Sequence, residues 1–233
     1  MARRWGAEPL GDGARFRLWA PDRETVTLEI RGEESLPMKR ESEGWFVGES
    51  PARAGMRYRF RLSDELAVAD PASRMQDGGV HGWSVLTDPQ GFDWQTRDWT
   101  GRPWEETVIE EVHPGVLGGF AGVAERLPAL AELGVTAVEL MPVGAFSGTR
   151  NWGYDGVLPY AVAESYGSPN ELKALVDRAH DLGLMVFLDV VYNHFGPDGN
   201  YLGVYASEFF DEHAHTPWGG AVAVAREPVR RFF

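Results

Sequence analysis

The sequence of 233 residues contains no cysteine, which excludes disulfide bonds and thiol catalysis. It also lacks any apolar run near the ~20 residues that a membrane-spanning helix needs, and no signal-peptide core follows Met1. We therefore expect a cytoplasmic protein with no membrane partner.

Basic residues are scarce, with 22 Lys and Arg against 35 Asp and Glu and a formal net charge of −13. This balance argues against binding to nucleic-acid phosphates and to anionic membrane surfaces. Aromatic residues are plentiful at 12%, including nine Trp, and their flat apolar faces suit sugar rings. We expect a neutral, carbohydrate-like ligand and no nucleic-acid partner.

Short alternating segments separated by turn residues fill the first third of the chain. Phe16 and Leu18 alternate with polar residues, as do Leu28 and Ile30. This spacing of two predicts strands with one buried face and, with frequent turns, a small antiparallel β-sandwich over residues 1–87. Residues 88–107 are broken by prolines but rich in Trp, so they are interpreted as a packed connector.

The apolar pattern changes to strand–helix–strand after residue 107. Strands are predicted over 107–113, 136–143 and 185–190, with helices over 120–133 and 168–183. Each predicted strand is an apolar run, which is typical of parallel strands buried on both faces.

Polar side chains follow the last of these strands directly. Asp189 ends the run 184–190, and Asn193 and His194 come just after it. In parallel α/β folds this carboxyl end of the strand is where chemistry is placed, and a buried carboxylate needs a partner. A structural Asp followed by a polar turn remains an equal alternative from this segment alone.

Linked motifs carry a resemblance over nearly the whole chain. They are FRLWAP at 16–21, DPASR at 70–74, NWGYDG at 151–156, DVVYNH at 189–194, FGPDGNYL at 195–202 and HTPWG at 215–219. In these motifs the chain resembles the glycoside hydrolase family related to α-amylase, and within it the trehalohydrolase type. Two segments depart from the family's sequence pattern. Segment 110–119 is shorter than the family's loop after the first strand, and in segment 220–227 small apolar residues replace a longer polar loop.

The resemblance implies an N-terminal antiparallel β-sandwich, like a carbohydrate-binding module, followed by an α/β (TIM-type) barrel. Residues 108–233 would supply about the first three β/α units. The implied substrate is a maltooligosaccharide or maltooligosyltrehalose, cleaved at the α-1,4 bond next to the terminal trehalose so that trehalose is released. No cofactor and no metal are expected.

The resemblance also assigns roles to single residues. Tyr154 would stack on the sugar ring with Trp152 beside it, His194 would bond a sugar hydroxyl, and Asp189 would hold neighbouring side chains. The implied substrate-binding residues are Trp152, Tyr154, Asp155, Asp189, Asn193 and His194.

No residue of the chain is predicted to be catalytic, because the family's nucleophile and acid/base are expected beyond Phe233. The 233 residues are therefore expected to be inactive alone. The remaining loop carboxylates are not expected to substitute for the nucleophile or the acid, since acids clustered in loops are usually solvated surface; they are Asp155, Asp189, Asp198, Glu208, Asp211 and Glu212. His213 and His215 are interpreted as ordinary loop histidines. The alternatives are a non-catalytic glucan-binding or vestigial protein and a fragment of a related branching or debranching enzyme.

Overall fold

The computed structural model describes residues 5–217 and 219–233, apart from the side chains of Glu212 and His215. Trp218 of the HTPWG motif and the first four residues of the predicted sandwich therefore lie outside the described residues. Every helix in the described ranges is too short or too polar to span a bilayer.

Two antiparallel sheets form the N-terminal region. Their strands are β1 (Gly6–Leu10), β2 (Gly13–Trp19), β3 (Thr27–Ile30), β4 (Leu36–Pro37), β5 (Lys39–Arg40), β6 (Trp45–Ser50), β7 (Arg57–Arg61), β8 (Ala67–Val68), β9 (Gln76–Asp77) and β10 (Trp83–Val85). The first sheet has the order β1-β2-β6-β5, and the second has the order β4-β3-β7-β10-β9 with β8 beside β7. The predicted antiparallel strands are confirmed.

The alternating side chains of these strands pack into one core. Phe16 and Leu18 of β2, Leu28 of β3 and Phe60 of β7 are fully buried, while the residues between them are more exposed. The rings of Phe16 and Tyr58 meet edge to face across the two sheets, with centroids 4.8 Å apart. The buried faces of the two sheets therefore cover each other.

Aromatic residues from the far end of the chain join the same core. Phe195, Phe209 and Phe232 belong to it, and the Trp5 indole donates a hydrogen bond of 2.8 Å to the carbonyl of Pro228. Apolar contact thus continues across the predicted boundary at 88–107, and the division of the chain into separate domains stays a prediction.

The rest of the chain alternates strands and helices. The strands are β11 (Ile109–Val112), β12 (Ala137–Leu140), β13 (Gly144–Ala145), β14 (Leu158–Val162), β15 (Met185–Leu188), β16 (Phe210–Thr216) and β17 (Gly219–Val222). The helices are α1 (Pro114–Leu117), α2 (Gly119–Leu133), α3 (Pro169–Asp181), α4 (Leu202–Tyr205) and α5 (Glu227–Arg230). Strands β11, β12 and β15 form a parallel sheet in that order, while β13 pairs with β14 and β16 with β17, both antiparallel.

Local sequence explains where the two long helices begin and end. At the start of α3 the Ser168 hydroxyl accepts from the Glu171 N–H at 3.2 Å, and the Glu171 carboxylate accepts from the Ser168 N–H at 2.7 Å. This reciprocal pair satisfies two N–H groups that a helix start leaves unpaired. Helix α2 ends at Gly134, whose φ of +96° suits a residue without a side chain. Both predicted helices are confirmed.

The prediction that each parallel strand is buried on both faces is wrong for the two outer strands. Ile109 of β11 is 42% exposed and Leu188 of β15 is 47% exposed. Helices α2 and α3 cover the face that carries Val138 and Leu140. The opposite face carries Glu111, Glu139 and Phe187, which lie side by side in register. Within the described residues β11 and β15 each pair with β12 alone, so their outer edges are less covered than the central strand.

The predicted connector packs on α3. The Asp177 carboxylate accepts from the backbone N–H of Thr96 at 2.9 Å, and the Trp99 ring stacks on His180 with centroids 4.7 Å apart. Residues 88–107 thereby join the N-terminal sheets to the helical face of the parallel sheet.

Candidate functional site

The loop 151–156 lies between β13 and β14 and is organised by one side chain. The Asn151 amide oxygen accepts from the N–H of Gly153 at 2.7 Å and of Asp155 at 3.3 Å, and its amide nitrogen donates to the Asp155 carboxylate at 2.9 Å. Gly153 has φ +101°, and a Cβ there would lie 2.4 Å from the Pro142 carbonyl oxygen. This turn holds Tyr154 at the surface, 43% exposed.

Tyr154 meets Asp189 at the carboxyl end of the parallel sheet. The Tyr154 hydroxyl donates to the Asp189 carboxylate at 3.3 Å, and the Asp189 N–H donates to the Leu140 carbonyl at 3.0 Å. The pKa of Tyr154 is raised, first by desolvation and then by the Asp189 carboxylate, with smaller contributions from Glu111 and Glu139. In this contact the phenol donates and the carboxylate accepts.

His194 binds the same loop from the other side. It is 8% exposed, and its Nε2 lies 2.9 Å from the Tyr154 carbonyl oxygen, which can only accept, so Nε2 carries the proton. Its Nδ1 lies 3.3 Å from the Asn193 side-chain oxygen Oδ1. The resemblance implies that this ring bonds a sugar hydroxyl, which stays a prediction; in the structure both ring nitrogens lie near protein groups.

The two loops are packed too closely for side chains between them. The Gly196 N–H donates to the Gly156 carbonyl at 3.0 Å, and a Cβ on Gly196 would lie 2.1 Å from the Asp155 carbonyl oxygen. The 151–156 and 193–196 segments therefore form one rigid unit.

The Trp152 side chain points away from the Tyr154 ring, although it belongs to the same loop. Its ring packs edge to face on His113, with centroids 5.6 Å apart, and it lines a cavity of about 390 Å³ that Tyr154 and Asp189 do not line. The cavity beside Asp189 holds only about 30 Å³. Of the six sequence-predicted residues, the structure brings Tyr154, Asp189, Asn193 and His194 together directly, places the exposed Asp155 on the same loop, and turns Trp152 away.

Larger cavities lie elsewhere. One of about 590 Å³ is lined by Trp5, Arg15, Tyr160 and Phe232 among others, and one of about 670 Å³ lies between the N-terminal sheets and the start of α3. Neither is lined by a sequence-predicted site residue, so size alone does not identify the site.

Sequence reasoning missed Asn151 and His113. The Asn-x-Gly spacing at 151–153 is a signal for the side-chain-to-backbone turn that forms there. His113 follows β11 directly, and the rule that placed Asp189 at the carboxyl edge of the sheet applies equally to it.

The other loop carboxylates are held by local partners. Asp198 accepts from the Ser147 hydroxyl and lies 3.2 Å from His81, and its pKa is lowered, mainly by the serine. Glu208 pairs with Arg226. Asp211 accepts from the His213 N–H at 2.8 Å.

The side chains of Glu212 and His215 lie outside the described residues, so the interpretation of His213 and His215 as ordinary loop histidines is not tested. Among the side chains that the structure does describe, no group of three could hold a metal ion.

Comparison with known proteins gives consistent matches. Residues 71–216 match the family model of the α-amylase catalytic domain. The malto-oligosyltrehalose trehalohydrolase of Deinococcus radiodurans is 46% identical over 98% of this chain and 39% of that protein. The enzyme of the same name from Saccharolobus solfataricus is 46% identical over 89% of this chain and 37% of that protein.

Solved structures agree in fold. A putative α-amylase from Salmonella typhimurium superposes with a TM-score of 0.97 at 45% identity, over 100% of this chain and 40% of that one. The pullulanase of Anoxybacillus sp., complexed with maltotetraose, has a TM-score of 0.82 over 100% of this chain and 42% of that one, and its 22% identity shows a shared fold alone. The chain spans about two fifths of the length of these relatives.

Proposed function

Because the chain belongs to the α-amylase family of glycoside hydrolases, we propose that it carries substrate-binding residues of a trehalohydrolase. Such an enzyme hydrolyses the α-1,4 bond next to the terminal trehalose of maltooligosyltrehalose and releases trehalose. In this proposal β1–β10 form a sandwich like a carbohydrate-binding module, and β11, β12 and β15 are the first strands of a TIM-type barrel. The order of these parallel strands, with a helix after β11 and another before β15, supports it.

The observation that carries the proposal is the fixed, exposed ring of Tyr154. Its hydroxyl is held by Asp189 and its carbonyl by His194, so the ring is oriented before any ligand arrives. A neutral sugar needs an apolar platform and a few directed polar groups, which the exposed Asn193 amide and Asp155 carboxylate supply beside it.

Charge at this edge of the sheet also suits glycoside hydrolysis. The carboxylates of Asp189, Glu111 and Glu139 all raise the pKa of Tyr154, so each contributes negative electrostatic potential near that ring. Glycosidic cleavage passes through a transition state with positive charge on the sugar. Fixed negative charge near the ring favours that state over the neutral ground state.

We assign neither reacting carboxylate to the described residues. Retaining hydrolysis needs two carboxyl groups about 5 Å apart on either side of the scissile bond. Asp189 and Asp155 are instead bonded to Tyr154 and Asn151, which fits orientation of the loop. The same observation favours a second candidate, a glucan-binding protein without hydrolytic activity, which would use the same Tyr154 platform.

The test is calorimetric titration of residues 1–233 with maltotetraose. Tyr154→Ala should weaken binding at least about tenfold, equivalent to about 1.4 kcal/mol, because the platform is lost. Tyr154→Phe keeps the ring and should weaken binding less, and Trp104→Ala, in the connector, should bind as the wild type does. Unchanged affinity in Tyr154→Ala, or no binding by the wild type, would show that the site is wrongly assigned.

A hydrolysis assay tests whether the described residues include a reacting carboxylate. Residues 1–233 should release no trehalose from maltooligosyltrehalose under either candidate function. Turnover that disappears in Asp189→Asn or Asp155→Asn would show that one of these carboxylates reacts.

A further inference from the structure

The cavity of about 590 Å³ near Trp5 is separate from the Tyr154 site. It is bounded by β1, by Arg74 in the segment that follows β8, and by residues 231–233. Its volume lies within the range of about 300–1,000 Å³ in which small-molecule sites occur. The cavity is therefore large enough for a ligand of its own.

Basic side chains dominate the lining of this cavity, although the chain as a whole has a net charge of −13. The Arg15 Nε donates to the Glu49 carboxylate at 2.7 Å, and Arg231 pairs with Glu227. Both of these acids lie outside the lining, and each guanidinium group keeps further N–H donors. The charged residues that line the cavity are four arginines and one acid, namely Arg15, Arg17, Arg74, Arg231 and Glu8.

Arg74 carries a positive charge that the described part of the chain does not pair. Its side chain is half-buried, yet no described residue forms a hydrogen bond or an ion pair with its guanidinium group. Taking a charge out of water without giving it a partner costs free energy. An anion bound in the cavity would supply that partner.

The backbone on both sides of Arg74 is held by buried side chains. The Asp70 carboxylate accepts from the Ala72 N–H at 2.8 Å, and the Ser73 hydroxyl donates to the Met75 carbonyl at 2.8 Å. Asp70 and Ser73 are both buried. The fold therefore fixes the backbone position of Arg74 before a ligand binds, and only its side chain needs to adjust.

Aromatic rings form another wall of the cavity. Trp5 and Phe232 are both buried and pack edge to face, with ring centroids 5.0 Å apart. The Trp5 indole donates to the Pro228 carbonyl, and the Tyr160 hydroxyl donates to the Phe232 carbonyl. Because these donors are already used within the protein, the rings offer apolar surface and the arginines offer the donors. A fitting ligand carries negative charge on an organic body.

We propose that this cavity binds a small organic phosphate, with Arg74 donating to the phosphate oxygens and the aromatic wall contacting the organic part. Guanidinium groups suit phosphate because their planar N–H groups form paired bonds to its oxygens. A phosphomonoester carries a charge of about −1.5 to −2 at pH 7 on three acceptor oxygens, so it can bond several arginines at once. The residues proposed to bind glucan do not line this cavity, so the site does not depend on the proposed function.

Calorimetric titration of residues 1–233 with glucose 6-phosphate at low ionic strength tests the site. The wild type should bind, and Arg74→Gln should weaken binding at least about tenfold, because a charge-assisted hydrogen bond is lost. Arg53→Gln is the matched control, since Arg53 is exposed, lies outside the cavity and removes the same charge. Absence of binding by the wild type, unchanged affinity in Arg74→Gln, or an equal loss in both variants would overturn the proposal.

Competition distinguishes recognition of the phosphate from recognition of the sugar. Inorganic phosphate should displace glucose 6-phosphate, whereas glucose should not, and Tyr154→Ala should bind glucose 6-phosphate as the wild type does. Displacement by glucose but not by inorganic phosphate, or loss of affinity in Tyr154→Ala, would show that the sugar is bound at the edge of the parallel sheet. The phosphate site would then be wrong, and the glucan site would still be judged by maltotetraose.

A second measurement locates the ligand in the wild-type protein and so does not depend on how a variant folds. The indole N–H resonance of Trp5, assigned by its loss in Trp5→Phe, should shift on addition of glucose 6-phosphate, while that of Trp104 stays in place. A Trp5 resonance that does not move while glucose 6-phosphate binds would place the ligand elsewhere and overturn the proposal.

Discussion

The antiparallel sheets and the parallel sheet are both built from short strands, yet they are buried differently. In the first region each sheet covers the other, and Phe60 is fully buried among aromatic neighbours. In the second, helices cover one face, while the other carries Glu111, Glu139 and the half-buried Phe187. Every predicted site residue lies at the carboxyl edge of the second sheet or in the loops after it.

The difference in burial indicates that the first region contributes most to the stability of the fold, whereas the second presents the polar groups of the proposed site. Buried apolar surface is the main favourable contribution to folding, and the larger of the two main buried clusters is the core that Phe195, Phe209 and Phe232 share with the N-terminal sheets. The parallel sheet leaves polar groups and one face open to solvent. A binding site needs groups that a ligand can reach, and the tightly packed N-terminal core can supply the stability that keeps those groups in place.

The largest expected effect compares two phenylalanines on strands. Phe60→Ala should lower the free energy of unfolding by about 3–5 kcal/mol, because it leaves a cavity in a closed core. Phe187→Ala should cost about 1 kcal/mol, since its side chain already meets solvent. Urea unfolding of both variants measures the difference, and equal losses would mean that the open face is covered in solution.

The next comparison concerns two carboxylates with opposite pKa shifts. Asp70 is fully buried, and desolvation raises its pKa to about 6, although the Tyr58 hydroxyl donates to it at 2.7 Å. The folded state then holds a proton that the unfolded state releases near pH 4, so the free energy of unfolding falls as pH rises from about 4 to about 6. That contribution, up to about 3 kcal/mol, should be absent in Asp70→Asn.

Asp177 provides the control for that pH dependence. Its pKa is lowered, chiefly by the Thr96 hydroxyl, so its stabilising contribution is present above about pH 4 and is lost as pH falls further. Relative to the wild type, Asp70→Asn should therefore gain stability as pH rises from 4 to 7. Asp177→Asn should lose stability as pH rises from the lowest values, with little change above pH 5. If the stabilities of both variants, relative to the wild type, changed with pH in the same direction, the assignment of opposite pKa shifts to Asp70 and Asp177 would be contradicted.

The smallest expected effect compares two glycines near the site. Gly196→Ala should cost about 1–3 kcal/mol of unfolding free energy and weaken maltotetraose binding, because its Cβ would meet the Asp155 backbone. Gly203→Ala should be neutral or slightly stabilising, since Gly203 lies in α4 and the nearest atom to its Cβ would be 4.0 Å away. If Gly196→Ala binds maltotetraose like the wild type, close packing of the two loops is not required for the site.

Elements governed by local rules could be predicted from the sequence. The capping pair Ser168 and Glu171 fixes the start of α3, and Gly134 fixes the end of α2. The position of Asp189 could also be predicted from the sequence, because a polar residue directly after a parallel strand must lie at the carboxyl edge of the sheet.

Features that depend on distant residues could not be predicted. The burial of Leu188 depends on how many neighbours β15 has, which its own apolar pattern does not encode. His194 is turned away from solvent by the Tyr154 carbonyl, 40 positions earlier in the chain. The Trp152 ring packs on His113, which follows a different strand. The closeness of Trp152 and Tyr154 in the motif NWGYDG therefore did not reveal that the two rings point in different directions.

The most direct test is a crystal structure of residues 1–233 with maltotetraose. We expect a glucosyl ring stacked on Tyr154, with Asp189 and His194 unmoved beside it. Maltotetraose bound in the cavity of about 590 Å³ near Trp5 and Phe232, with Tyr154 free, would contradict the assignment of binding to the parallel sheet.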